Sequence, residues 1–260
     1  MYFKFKFLKE TQFIPILAPL QLIAFAENFI EIKDTEEKQI ADHLLRMLEL
    51  EPNFGWHEYE RFHAEWEALY RLLCCGEVIS LQEIYRKKLM KNPSFIAKNK
   101  VVKQLDHQFS NISKSIPNPL STVLIPADGN AGFDILNFEQ CENKEIAIAV
   151  ECRFSQPGTQ TWLSVKDVEK KYEQTKTTFK SKSKIYFQVC DLTFFFADKN
   201  IPNINQDDVY LVVCAYRKLE REFENVKFPN VIVLGIPDLQ TIYTPTLASR
   251  PQFILTHDGN

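Results

Sequence analysis

Apolar and polar positions recur with two different periods along this chain, and the period changes near residue 130. Before that point the spacing is mostly helical. Ile40, Leu44, Leu45 and Leu48 predict a helix over about Asp34 to Leu50, ended by Pro52-Asn53-Phe54-Gly55. From His57 to Cys74 the stripe Tyr59, Phe62, Trp66, Leu69, Leu73 alternates steps of three and four, which predicts an amphipathic helix with a buried aromatic face. Ser80 followed by Glu83 has the form of a capping box and predicts a further helix over about Ser80 to Lys91. Residues 110 to 130, rich in Ser, Asn and Pro, read as a connector.

Beyond the connector the period is that of strands. Phe133 to Phe138 and Glu145 to Phe154 are β-type runs joined by the polar turn Glu139 to Lys144, and so predict a hairpin. A helix is predicted over about Thr161 to Ser181 from the stripe Val165, Val168, Tyr172, Thr175, Phe179. Lys184 to Cys190, Val209 to Tyr216 and Val231 to Ile236 then read as strands, the last two apolar throughout as central strands are. The order helix, hairpin, helix, strand predicts an α/β core with a mixed sheet. At the other end, Met1 to Leu8 alternates apolar and basic residues as a strand does. Residues 1 to 54 are therefore read as an N-terminal extension, strand then helix, and 55 to 260 as the main domain.

Composition narrows the functional classes. With 260 residues, 45% apolar and 25% charged, the chain can bury a full core. Gly is scarce at 7, and neither a P-loop nor a G-x-G-x-x-G fingerprint occurs, which argues against a nucleotide site on a glycine-rich loop. The six cysteines form no C-x-x-C pair, and the histidines show no H-E-x-x-H spacing, so a reducing compartment and no zinc are expected. The run Phe13 to Ala26, preceded by Lys4, Lys6 and Lys9, superficially resembles a secretion signal, but Pro15, Pro19 and Gln21 interrupt it. No apolar run is long enough for a membrane span, so a soluble protein without membrane contact is expected.

Two acids carry the sharpest chemical signal. Asp134 in Gly132-Phe133-Asp134-Ile135-Leu136 and Glu151 in Val150-Glu151-Cys152-Arg153 are set in apolar strands, where a carboxylate is costly unless a cation meets it. On strands roughly 4.8 Å apart they can hold one divalent ion through oxygen ligands. The alternatives are an Asp134–Arg153 structural ion pair, or a solvated strand face. On the helix from His57, Glu60, His63 and Glu67 share one flank beside the aromatic stripe. Glu67 is favoured there as a helper acid, Glu60 is second, and His63 reads as a boundary residue.

These residues, with Tyr59-Glu60-Arg61-Phe62 to Leu73 and Ser80-Leu81-Gln82-Glu83-Ile84-Tyr85, resemble the PD-(D/E)XK nucleases. The closest likeness is to the nuclease-like C-terminal domains of Crinkler effectors and related retrotransposon-hot-spot proteins, over about residues 55 to 260. The resemblance implies a restriction-endonuclease-like fold and hydrolysis of a phosphodiester, in DNA above all. It implies Mg²⁺ or Mn²⁺ held by Asp134, Glu151 and the backbone carbonyl of Cys152, with a helix acid assisting. It also implies secretion into a host, action in its nucleus, and a neighbouring NTPase domain or host protein as partner. The chain departs from the pattern at Arg153, which stands where the family has Lys. A guanidinium stays charged and cannot act as a base, although it can stabilise charge on a phosphate. Lys166 or Lys170 on the following helix could substitute, or the fold has lost its chemistry and serves as a nucleic-acid or protein binding module. Lys166, Lys170, Lys171, Lys176 and Lys180, continued by Lys182 and Lys184, form a candidate stripe for the phosphates of duplex DNA. Arg86-Lys87-Lys88 is a shorter basic run that could serve as a nuclear address.

Overall fold

A computed structural model describes residues 36–49, 56–106, 118–130, 132–154, 163–189, 204–216, 219, 223 and 228–243. The predicted strand Met1 to Leu8 and the signal-like run Phe13 to Ala26 lie outside these residues, as does Cys190. Among the described residues two helices come first, α1 (Glu36–Glu49) and α2 (Trp56–Leu73). A small antiparallel pair follows, β1 (Val78–Ser80) with β2 (Ser94–Ile96), enclosing the short helix α3 (Leu81–Tyr85).

The main sheet has six strands in the order β3 (Val101–Gln104), β4 (Thr122–Ile125), β5 (Ile135–Gln140), β6 (Glu145–Phe154), β7 (Val209–Tyr216) and β8 (Val231–Leu234). It is mixed. β3 runs parallel to β4, β4, β5 and β6 are successively antiparallel, and β6, β7 and β8 are parallel. The chain is thus of the mixed α/β class.

Both faces of the sheet are buried, because successive side chains of a strand point to opposite sides. On β6, Ile146, Ile148 and Val150 join a cluster with Phe62 and Trp66 of α2, Met47 of α1, and Leu239 of a further helix, α5 (Ile236–Ile242). Ala147 and Ala149 turn the other way, to Val168 and Phe179 of the long helix α4 (Val165–Val189). The part of the predicted extension that α1 represents therefore shares its core with α2 and the sheet.

Three elements depart from the sequence reading. The helix at Ser80 has its capping box, with Glu83 N–H donating to Ser80 Oγ and Ser80 N–H to Glu83, but it ends at Tyr85 rather than near Lys91. Arg86 there takes the left-handed conformation, at φ 52°, and breaks the helical run. The presumed connector contains β4, whose four residues are all buried, and too short an apolar run to show a period. Residues 184 to 189, predicted as a strand, continue the backbone of α4, as a short apolar run is ambiguous between the two periods.

Beneath α2 lies a buried polar network. Arg71 reaches Glu139 Oε1 at 2.5 Å and Glu67 Oε2 at 3.1 Å, and Lys100 reaches Glu139 Oε1 at 3.1 Å and donates to the Phe138 carbonyl at 2.6 Å. Burial pushes the Lys100 amine down to about 8, against the pull of Glu139, so it remains largely charged at neutral pH. The network ties α2 to β5 and to the segment before β3. Glu139→Ala should leave Lys100 without a carboxylate and Arg71 with Glu67 alone, and cost about 3–5 kcal/mol in urea unfolding. Glu173→Ala, which breaks the more exposed Lys176 pair, should cost less than about 1 kcal/mol. Equal losses would show that the buried network holds nothing.

Candidate functional site

Asp134 stands directly before β5 and is fastened to β6 at two points. Its N–H donates to the Val150 carbonyl at 2.8 Å, and its Oδ2 accepts the Cys152 N–H at 2.7 Å. Glu151 lies between those two anchors on β6. By strand alternation it shares the α4 face with Ala147 and Ala149, and α4 meets it with Lys171, whose Nζ lies 2.8 Å from Oε2. Arg153, on the same face of β6, brings Nε to 2.7 Å from Oε1. The predicted alternative of an Asp134–Arg153 pair is therefore not what forms; Arg153 pairs with Glu151.

Glu60 approaches from α2. It is buried, and the charges of Asp134 and Glu151 act on it. Burial first, then Asp134, Glu151 and Asp128, push its carboxyl up to about 9. Burial and Glu151 push Asp134 up to about 7, although the Cys152 N–H, Lys171 and Arg153 oppose the rise. Asp134 and Glu151 thus both act on Glu60, and Glu151 acts on Asp134. Glu60 Oε1 and Glu151 Oε2 are buried without an aligned hydrogen-bond donor, Lys171 contributing to Oε2 an ion pair off the hydrogen-bond direction. At the rim, His57 lies 3.7 Å from Glu60 Oε2 and 3.5 Å from Asp128 Oδ1.

Glu67, the favoured helper acid, stands elsewhere. It is fully buried, accepts hydrogen bonds from the Tyr85 hydroxyl and the Asn137 amide, and pairs with Arg71. Burial pushes its carboxyl upward, but Arg71, His63 and Tyr85 outweigh that and hold it at about 2. A carboxylate so neutralised is a structural anchor, and the helix acid on which the charges of the strand acids act is Glu60. His63 belongs to the same interior, sharing a 2.5 Å hydrogen bond with the Tyr243 hydroxyl.

The lysines divide likewise. Lys171 turns inward to Glu151, three residues after buried Val168 and four before buried Thr175, a spacing already visible in the sequence. Lys166 and Lys170 are exposed. Lys176 lies over the Tyr172 ring at 4.6 Å and pairs with Glu173, while the side chains of Lys180, Lys182 and Lys184 lie outside the described residues. Lys87 pairs with Asp238 at 2.7 Å, so that basic run is partly engaged within the fold.

Among the described residues no three His, Cys, Asp or Glu side chains form a ready group for a metal ion. Mg²⁺ usually takes one or two carboxylates and keeps several waters, so it does not require such a cage. A buried carboxylate oxygen without a hydrogen-bond partner, as at Glu60 Oε1, suits that chemistry. The Cys152 thiol does not, being buried beside Cys214 with its pKa driven far up by burial. No helix among the described residues is long and apolar enough to cross a membrane. No family model, curated protein or solved structure matches the chain.

The raised carboxyls set a pH dependence. The folded protein holds protons on Glu60 and Asp134 up to about 9 and about 7, while an unfolded chain releases them near the ordinary 4.5 and 3.8. The native state then binds more protons, so metal-free stability is fully present below about pH 4 and falls as pH rises toward 9. Each excess proton contributes a slope of at most about 1.4 kcal/mol per pH unit. Glu60→Gln should flatten the fall of Tm with pH in chelator-containing buffer. An unchanged slope would place the excess protons elsewhere.

Proposed function

We propose that the chain is a metal-dependent nuclease of the restriction-endonuclease-like kind, hydrolysing phosphodiester bonds of duplex DNA, with Asp134, Glu151 and Glu60 as the acids for Mg²⁺ or Mn²⁺. The observation that carries this reading is Lys171 Nζ, 2.8 Å from Glu151, a lysine supplied by the helix where β6 itself offers Arg153. When bound, the ion would lower the pKa of a coordinated water and neutralise charge on the phosphate. Lys171, a compact ammonium with three donors, is suited to orient the attacking water and to hold a proton beside Glu151. Arg153, part exposed, supplies a permanent planar charge that can grip two phosphate oxygens. Lys166 and Lys170 carry positive charge along the exposed side of α4 for the flanking backbone. The effector role, the host nucleus and an NTPase or host-protein partner rest on the resemblance to Crinkler-type domains.

A second reading is favoured by one feature: Glu151 is already met by two cations, Lys171 and Arg153, which balance its charge with no metal. A nuclease fold in that state would bind nucleic acid without cutting it. Calorimetry with Mg²⁺ and Mn²⁺, together with plasmid digestion, decides between the two.

The nuclease reading expects divalent-ion binding that is lost in Asp134→Ala, and cleavage that is lost in Glu151→Gln. Because Glu151 is paired on both oxygens, this substitution should also lower stability. Lys171→Ala should slow single-turnover cleavage by about 10²–10⁴, whereas Arg153→Ala should chiefly weaken DNA binding. DNA binding without any divalent-ion binding would establish the module instead.

The exposed lysines generate a separate expectation. Replacing Lys166 and Lys170 by Ala should flatten the dependence of log K on log salt by about one to two units. A slope equal to the parent's would show that this side of α4 does not meet the backbone.

A further inference from the structure

The contact between Gly132 and Thr175 has no part in the chemistry above, yet it joins the two elements on which that chemistry depends. Gly132 lies two residues before Asp134, in a backbone conformation with φ 103° that side chains disfavour. A Cβ there would lie 3.0 Å from Thr175 Cα and 3.2 Å from Thr175 N, so the two backbones touch as only glycine allows. Thr175 is fully buried, and its hydroxyl donates to the Gly132 carbonyl at 2.6 Å, while the Lys171 carbonyl one turn back lies 2.9 Å from the same oxygen. A hydroxyl has one proton to donate, so it is poised between the loop that carries Asp134 and the turn that carries Lys171.

Besides the Lys171–Glu151 pair and a 3.5 Å hydrogen bond from Gln206 Nε2 to the Lys176 carbonyl, the attachment of α4 near this point is apolar, through Val168 and Phe179. Apolar burial is non-directional, so it constrains the position of a helix along its axis less sharply than a hydrogen bond of fixed geometry does. A slip of one residue would move Lys171 by about 1.5 Å, enough to break a 2.8 Å ion pair. The Thr175–Gly132 contact is directional and is placed where it prevents that slip.

We propose that this contact is a latch fixing Lys171 against Glu151, which makes Gly132 and Thr175 positioning residues of the candidate site. The latch bears on catalysis through the nuclease reading, but its geometry can be tested without it. Labelling with acetic anhydride, read by mass spectrometry, reports how available each lysine amine is, and exposed Lys170 serves as the internal reference. Lys171 should be protected in the parent. In Thr175→Val, which keeps the volume and removes the hydroxyl, its labelling rate should rise about fivefold, the worth of one hydrogen bond. Thr175→Ser should restore the parent's rate. Thr175→Ala makes the same test with space to spare, should Val fail to fold as judged by circular dichroism. If the parent cleaves DNA, Thr175→Val should also slow the single-turnover step while leaving DNA affinity unchanged, and Ser should rescue it. Labelling of Lys171 that stays at the parent's rate in a folded Val or Ala variant overturns the latch. A parent that never cuts, with the labelling response present, removes the nuclease reading and keeps the latch.

Discussion

Buried carboxylates demand positive charge, and the way α2 meets that demand organises the molecule. Glu67 and Glu60 lie on one helix, about two turns and roughly 10 Å apart. Glu67 is met by Arg71 and two neutral donors and is held at about 2; Glu60 faces Asp134 and Glu151 and is pushed up to about 9. Removing one partner from a balanced buried set leaves an uncompensated charge, which explains why the Glu67 end fastens the helix to the sheet. At the Glu60 end burial and the neighbouring acids raise the carboxyls of Glu60 and Asp134 instead, and a cation there would favour their charged forms.

The sheet topology brings the strand acids together. Antiparallel pairing of β5 with β6 sets the Asp134 carboxylate against the Cys152 amide, one residue beyond Glu151. The parallel partner β7 can only be reached by a crossover, and α4 lies on that path, so the helix necessarily passes over the α4 face of β6 where Glu151 projects. Lys171 comes from this crossover, whereas Glu60 comes from the helix on the opposite face. The candidate site is assembled from both layers at the end of one strand pair. Its Lys171 side depends on how α4 is registered against the loop at Gly132.

Much of this was legible in the chain itself. An acid inside an apolar strand is conspicuous because burial is costly, so Asp134 and Glu151 stood out without any partner in view. The hairpin that joins them and the two apolar strands β7 and β8 followed from period and length. Local patterns served less well where they were short or shared: β4 hides in a Ser- and Pro-rich stretch, and residues 184 to 189 fit either period.

The chain by itself thus determined which strand acids converge and that a basic helix follows them, because strand alternation and helical spacing are local properties. Which helix acid joins them was decided only by tertiary structure. Glu60 and Glu67 share a flank, and their fates separate because Arg71, Tyr85 and Asn137 surround one while Asp134 and Glu151 face the other. The choice of Lys171 over its neighbours was settled the same way, by the seating of α4 on Gly132 through Thr175. Charge balance is a sum over elements far apart in sequence, and no local period encodes it.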